Sequence, residues 1–222
     1  MKVLDEKTYN HVELNNEVTQ RDDSGFYKLE KDLEALEVFM EEVEAKTIHF
    51  DSELERLHYL VDNDFYYDLF KEYSEPALQD IIDHADAIEF NFKSYMAASK
   101  FFKDYTLKTN DKKQYLEDYR QHVVIVSLYL AKGNIETAKR FITSMMEQRY
   151  QPATPTFLNA GRARRGEMVS CFLLEVEDSL NSINYIDSTA KQLSKIGGGV
   201  AINLSKLRAR GEAIKGIEGV AK

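Results

Sequence analysis

The only thiol in this 222-residue chain is Cys171. It stands in Val169-Ser170-Cys171-Phe172-Leu173, beside one hydroxyl and downstream of Thr154-Pro155-Thr156, so a redox-capable sulfur shares one region with hydroxyls that could hold phosphate oxygens. An isolated cysteine among β-forming residues is usually a small buried hydrophobe. The hydroxyls around it favour a redox residue at the floor of a nucleotide site. One cysteine cannot close an internal disulfide, which fits a reducing compartment and means that thiol chemistry needs a partner from outside this sequence.

Other residue types that carry chemistry point less far. Gly197-Gly198-Gly199 invites a phosphate-loop reading, but a phosphate loop runs strand, glycines, helix, and here the glycines follow a helical pattern and precede a strand. A helix C-cap with close backbone approach accounts for Gly197 and Gly198. Gly199, at the strand start, stays open to contact with a bound ligand. Arg162, Arg164 and Arg165 form a basic cluster without interleaved aromatics, and a solvated loop is preferred to a nucleic-acid surface. His11, His49, His58, His84 and His122 fall in separate elements without metal-ligand spacing, so they read as ordinary surface or core histidines and no metal site is expected.

The elements that must position these residues change character along the chain. Residues 1–26 read as an arm with one short helix and a turn at Asp22-Asp-Ser-Gly25. From Lys28, Leu29, Leu33, Leu36, Met40 and Val43 recur at helical spacing. Asp51 or Ser52 caps the next helix, and Ser74-Glu-Pro76 opens another, with proline where no amide partner is lost. Helices are expected over 95–107 and 115–131; the apolar run Val123–Leu130 is assigned to a buried helix that Gly133 ends. Asn134 caps a helix over 135–149. Then Met168–Val176 reads as a strand, Asp178 or Ser179 caps a helix with Leu180, Ile183, Ile186, Ala190 and Leu193 on one face, and Val200–Leu204 is a second strand. The pattern predicts an arm over 1–26, an all-α domain over 27–150 and an α/β segment over 151–222.

Charge changes at the same boundary. Residues 1–150 hold 19 Lys+Arg against 31 Asp+Glu, while 151–222 hold 10 against 7. The acidic first part argues against nucleic acid as a partner, and the mildly basic second part suits a small phosphate-bearing ligand. With no run of 18 apolar residues and no apolar signal segment, a cytoplasmic protein without membrane contact is expected.

Four stretches carry a specific resemblance: Gln151-Pro-Ala-Thr-Pro-Thr-Phe-Leu-Asn-Ala-Gly161, Val169-Ser-Cys-Phe-Leu173, Asp178-Ser-Leu-Asn-Ser-Ile183, and Leu193-Ser-Lys-Ile-Gly-Gly-Gly-Val-Ala-Ile-Asn-Leu-Ser-Lys-Leu-Arg-Ala-Arg-Gly211. Together they resemble the large (α) subunit of class Ib ribonucleoside-diphosphate reductase, and Leu57-His-Tyr-Leu-Val61 and Tyr105-Thr-Leu-Lys108 extend the likeness into the helical part. The resemblance implies a mainly α chain: a helical domain followed by the first strand–helix–strand elements of an incomplete ten-stranded α/β barrel. It implies substrate contacts at Thr154, Ser170, Cys171 and Gly199, with Cys171 as a reducing cysteine that delivers hydrogen to the ribose 2′-carbon and ends in a disulfide. It places a dNTP or ATP specificity effector at Asp178, Arg208 and Ile214.

The same resemblance implies partners. The radical-forming cysteine, the disulfide partner of Cys171 and a C-terminal cysteine pair belong to sequence beyond Lys222, so the chain is expected to be inactive alone. It would need a C-terminal part of the large subunit, a small subunit supplying a dimetal-tyrosyl radical, and a glutaredoxin- or thioredoxin-like reductant. The activity implied is reduction of ribonucleoside diphosphates, a step in deoxyribonucleotide biosynthesis for DNA replication. Two alternatives stand beside this: a non-catalytic interaction or nucleotide-binding module derived from the family, and a degenerate fragment whose unpaired strands leave apolar edges exposed.

Overall fold

Local capping chemistry fixes where most helices of the first part begin. The computed structural model describes residues 10–164 and 166–219. α1 (Asn10–Glu17) packs on α2 (Glu30–Ala45), and the Asp22–Gly25 turn between them closes with the Gly25 amide on the Asp22 carbonyl. Ser52 accepts from the Glu55 amide ahead of α3 (Glu53–Asp62), and Pro76 occupies the first turn of α4 (Glu75–Asp86). α5 (Tyr95–Lys100) begins on a Ser94 cap and continues as a π-helical turn, Phe101–Tyr105. Asp118 and Gln121 form a reciprocal capping box for α6 (Tyr119–Ala131), and Asn134 caps α7 (Ile135–Met146). Each such cap satisfies amide donors that a helix start leaves without an intrahelical partner.

α6 is the centre of this bundle. His122 through Leu128 are all buried, so the apolar run is a helix covered on nearly every side, packed by α4 and α7. It starts at Tyr119, not at Tyr115. Residues 115–117 look helical in isolation, yet the Tyr115 amide bonds the Lys46 carbonyl, Ile48 bonds Tyr115, and Leu116 bonds Leu107. Backbone partners from distant segments hold this stretch extended. α2 also departs from expectation: its buried stripe is Ala35, Phe39 and Val43, while Leu33 is 55% exposed. Likewise α7 stops at Met146, because Gln148 takes a positive φ of 57°.

Thr154-Pro155-Thr156 forms the first turn of α8 (Thr154–Asn159), with Pro155 in the position where its missing N–H costs nothing. The segment that follows is held firmly. Gly161 has φ +82°, its carbonyl accepts from Tyr67, and a Cβ there would lie 2.6 Å from Ile125 Cγ1 and 3.1 Å from the Ile125 carbonyl. Backbone sign and space both demand glycine. Gly161→Ala is expected to destabilise the helical unit by about 2–3 kcal/mol, from left-handed strain added to overpacking. A urea midpoint followed by helical circular dichroism reads this; an unshifted midpoint would contradict it.

The chain divides into two compact units, Met1–Gly166 and Glu167–Lys222. This contact division lies beyond the change in composition at 150, because α8 and Gly161–Ala163 are bonded into the helical unit. The second unit contains β1 (Cys171–Glu175), α9 (Leu180–Lys195) and β2 (Gly199–Asn203). The strands are parallel, in register from Cys171 opposite Gly199 to Glu175 opposite Asn203, as a strand–helix–strand crossover requires. Of the expected α9 face only Ile186 is buried; Leu180 is 71% exposed. Two strands give a helix little sheet to cover. Among the described residues no helix is long and apolar enough to cross a membrane.

Candidate functional site

Cys171 is the first residue of β1 and its free thiol is exposed. It is not the buried hydrophobe that a strand cysteine usually is. Parallel register sets Gly199 opposite it, and the Gly199 amide donates to the Ser170 carbonyl at 2.7 Å. The structure therefore brings Ser170, Cys171 and Gly199 together at one end of the two-stranded sheet. Thr154 lies in the other unit, at the start of α8, with its hydroxyl 3.0 Å from the Tyr105 hydroxyl.

The three glycines separate by function. Gly197 has φ +88° and closes α9, its amide bonding the Ser194 carbonyl. At Gly198 a Cβ would come within 2.6 Å of the Phe172 ring and 2.9 Å of the Leu193 carbonyl. Gly198→Ala is expected to cost roughly 1–3 kcal/mol of overpacking in the second unit. Faster amide exchange across 171–175 and 199–203 measures it; unchanged protection there rules the clash out. Gly199 differs from both, because its φ is not left-handed and a Cβ would meet only the Ser170 carbonyl, at 3.4 Å. Neither backbone conformation nor packing among the described residues requires a glycine at this position.

A second cluster forms where α9 begins. Ser179, not Asp178, is the cap, accepting from the Ser182 amide. This frees the Asp178 carboxylate, which accepts from Arg208 Nε at 2.6 Å, while Arg208 Nη1 reaches the Ala213 carbonyl at 3.3 Å. Ala213 precedes Ile214, which exchanges backbone bonds with Ile217. Asp178, Arg208 and the Ile214 turn thus adjoin one another on the surface. Beside them Lys206 Nζ donates to Glu177 at 2.7 Å and lies 3.0 Å from Glu175.

Within the basic cluster Arg162 is not solvated, whereas Arg164 is. Arg162 is 7% exposed and donates to Glu117, which is wholly buried; Arg164 is exposed, 3.7 Å from Asp64, and Arg165 lies outside the described residues. Around Glu117 gather the Tyr66 hydroxyl, the Leu107 amide at 2.7 Å and His122 Nδ1 at 2.8 Å, and His122 Nε2 faces the Phe157 carbonyl at 2.8 Å. Burial alone would push the Glu117 carboxyl up, but Arg162 and His122 outweigh it and hold the group far below the usual carboxylate range. Burial, reinforced by Glu117, pushes the Tyr66 phenol up. Nothing in a single sequence ties Glu117 to an arginine 45 residues away. The remaining histidines each have a side-chain partner: His11 lies against Glu42, His84 against Thr143, and, on the surface, His49 against Glu44 and His58 against Glu75.

Fold and site together define a helical domain followed by a parallel strand–helix–strand segment that displays a free cysteine at its strand start. Family models agree along the chain: residues 11–90 match "Ribonucleotide reductase N-terminal", 91–165 "Ribonucleotide reductase, all-alpha domain", and 169–222 "Ribonucleotide reductase, barrel domain". The chain belongs to the ribonucleotide reductase large-subunit family. It is 49% identical over 213 residues to the ribonucleoside-diphosphate reductase subunit alpha of Bacillus subtilis, covering 95% of this chain and 30% of that protein. It is 51% identical over 215 residues to the NrdEB subunit alpha of the same organism, covering 96% and 20%, and 46% identical over 189 residues to the subunit alpha of Mycoplasma pneumoniae, covering 84% and 26%. The chain thus spans between a fifth and a third of the length of these relatives.

Proposed function

We propose that this chain supplies the N-terminal part of a ribonucleoside-diphosphate reductase large subunit, bringing one redox cysteine, part of the substrate pocket and part of the effector site. The observation that carries this reading is the pairing of an exposed Cys171 with Gly199, a glycine that neither its backbone conformation nor its packing among the described residues requires. A missing side chain beside a thiol leaves room for a bound sugar, and rigid strands hold the sulfur against it. In the net reaction Cys171 and a second cysteine are oxidised to a disulfide, the ribose 2′-carbon is reduced, and its hydroxyl leaves as water. The second cysteine comes from the C-terminal part of the large subunit, and a glutaredoxin- or thioredoxin-like protein re-reduces the pair. The small subunit's dimetal-tyrosyl radical supplies the oxidant that initiates turnover. Thr154 and Ser170 contribute hydroxyls to the substrate.

Asp178, Arg208 and Ile214 form the effector contacts in this reading. A dNTP would take over Arg208 with its phosphates and leave Asp178 for a ribose hydroxyl. Exposed ion pairs contribute little to folding, so Arg208→Gln is expected to shift stability by less than about 0.5 kcal/mol. It should nevertheless weaken dNTP binding by roughly tenfold or more, since a charge-assisted bond to phosphate is lost. Calorimetric titration of both forms with dNTPs checks this, and equal affinities would remove Arg208 from the site.

The overall reading is tested by reconstitution. The chain is mixed with the C-terminal polypeptide of the large subunit, the small subunit and a dithiol reductant, and deoxyribonucleoside diphosphate is quantified. Product that appears only when the chain is present is the expected result. Tight dNTP binding without any product would favour the non-catalytic nucleotide-binding module instead.

A further inference from the structure

Within the helical unit a cavity of about 500 Å³ opens between the 103–112 segment and Arg162–Arg164. Lys103, Lys108, Lys112, Arg162 and Arg164 line it, against the carboxylates of Asp64 and Asp104. This basic lining stands in a part of the chain where acids outnumber bases, 31 to 19 over residues 1–150. The nearby carboxylates are already engaged: Asp104 binds Lys100 at 2.5 Å, Asp64 lies 3.7 Å from Arg164, and Asp111 pairs with Lys113 at 3.8 Å. Glu117 neutralises Arg162. Lys103, Lys108 and Lys112 line the cavity without a carboxylate in salt-bridge contact among the described residues, Asp104 acting on Lys103 and Lys108 only from further away.

Lys108 is held closely. Its Nζ donates to the Lys103 carbonyl at 2.9 Å and sits 5.6 Å from the centre of the Tyr115 ring, leaving two of the three ammonium donors for a ligand. Partial burial outweighs the opposing pull of Asp104 and, with the Lys112 charge adding to it, holds its pKa below the ordinary 10.5. An anion in the cavity would relieve that repulsion. Arg162, lining the same cavity, has a buried Nη1 without a hydrogen-bond partner among the described residues.

We propose that this cavity binds a small phosphate-bearing anion, whose oxygens are held by the ammonium groups of Lys103, Lys108 and Lys112. Three ammonium charges call for a multiply charged group, which excludes a simple carboxylate as the best fit. A local concavity in an acidic part of the chain does not suit a nucleic-acid strand, whose backbone needs an extended basic track. This proposal does not depend on the effector or substrate assignments, because every lining residue belongs to the helical unit.

Pyrophosphate and ADP serve as separate probes in calorimetric titrations of the whole chain. The double variant Lys103→Gln/Lys112→Gln alters two exposed side chains and leaves the core untouched. Pyrophosphate binding weakened roughly tenfold or more by this variant, and unchanged by Arg208→Gln, is the expected result. Protection of Lys108 from reductive methylation by the same probe should accompany it. ADP binding that exceeds pyrophosphate binding and is lost in the same double variant supports the site and identifies a nucleotide as the source of the phosphate. No binding of either probe, or binding that Arg208→Gln abolishes while the double variant retains it, overturns the proposal.

Discussion

Cys171→Ser is expected to abolish deoxynucleotide formation in the reconstituted enzyme, by a factor on the order of 10³ or more, as loss of a group that acts within a catalytic set does. The substitution exchanges sulfur for oxygen with little change of shape. A serine hydroxyl cannot be oxidised to a disulfide, so the two electrons that reduce the 2′-carbon have no donor at this position. The side chain is exposed at the first residue of β1, so stability should move by less than about 0.5 kcal/mol. Loss of product with the fold and dNTP affinity retained therefore separates a chemical role from a structural one. Product formed at the wild-type rate by the serine variant, measured by chromatography of the nucleoside diphosphates, would refute the role given to Cys171.

The parts of the molecule legible in its sequence are those set by neighbours in the chain. Ser52, Asn134 and Ser179 act as caps through bonds that span three residues, and the Asp22–Gly25 turn closes within itself. Gly197 and Gly198 were readable for the same reason, since a helix end and a strand start lie on either side. What escaped depends on contacts far apart in the sequence. Tyr115–Glu117 has helical composition but is held extended by residues 46–48 and 107. Leu33 has the right spacing for a core position, yet Ala35, Phe39 and Val43 are the face that packing selects. Arg162 looks like any basic loop residue until Glu117 is found beneath it. At the site, Ser170, Cys171 and Gly199 meet through strand register, which the strand–helix–strand pattern implies; the Asp178–Arg208 pair spans 30 residues and no periodicity announces it.

The largest effect on stability is expected at that buried pair. In Glu117→Gln the carboxylate disappears from beneath Arg162 while the guanidinium stays buried, and an uncompensated buried charge costs about 3–5 kcal/mol. The Leu107 amide can still donate to the glutamine oxygen, and the Tyr66 hydroxyl, which faces the other carboxylate oxygen in the wild type, can turn to accept from the glutamine NH2, so the loss is chiefly electrostatic. Adding Arg162→Met should restore part of it, because a buried ion pair replaced by apolar groups is often tolerated where half of one is not. The pH dependence carries an independent signature. A carboxyl whose folded pKa is depressed stabilises the protein above its unfolded value and loses that contribution as pH falls toward the folded one. For Glu117 the loss begins below its ordinary 4.5 and continues downward, so wild type should weaken steadily in acid while Glu117→Gln, weaker at neutral pH, follows a flatter course until the two converge. Urea midpoints of the helical signal across an acid series measure both curves. Parallel curves would show that the Glu117 charge does not stabilise the helical unit.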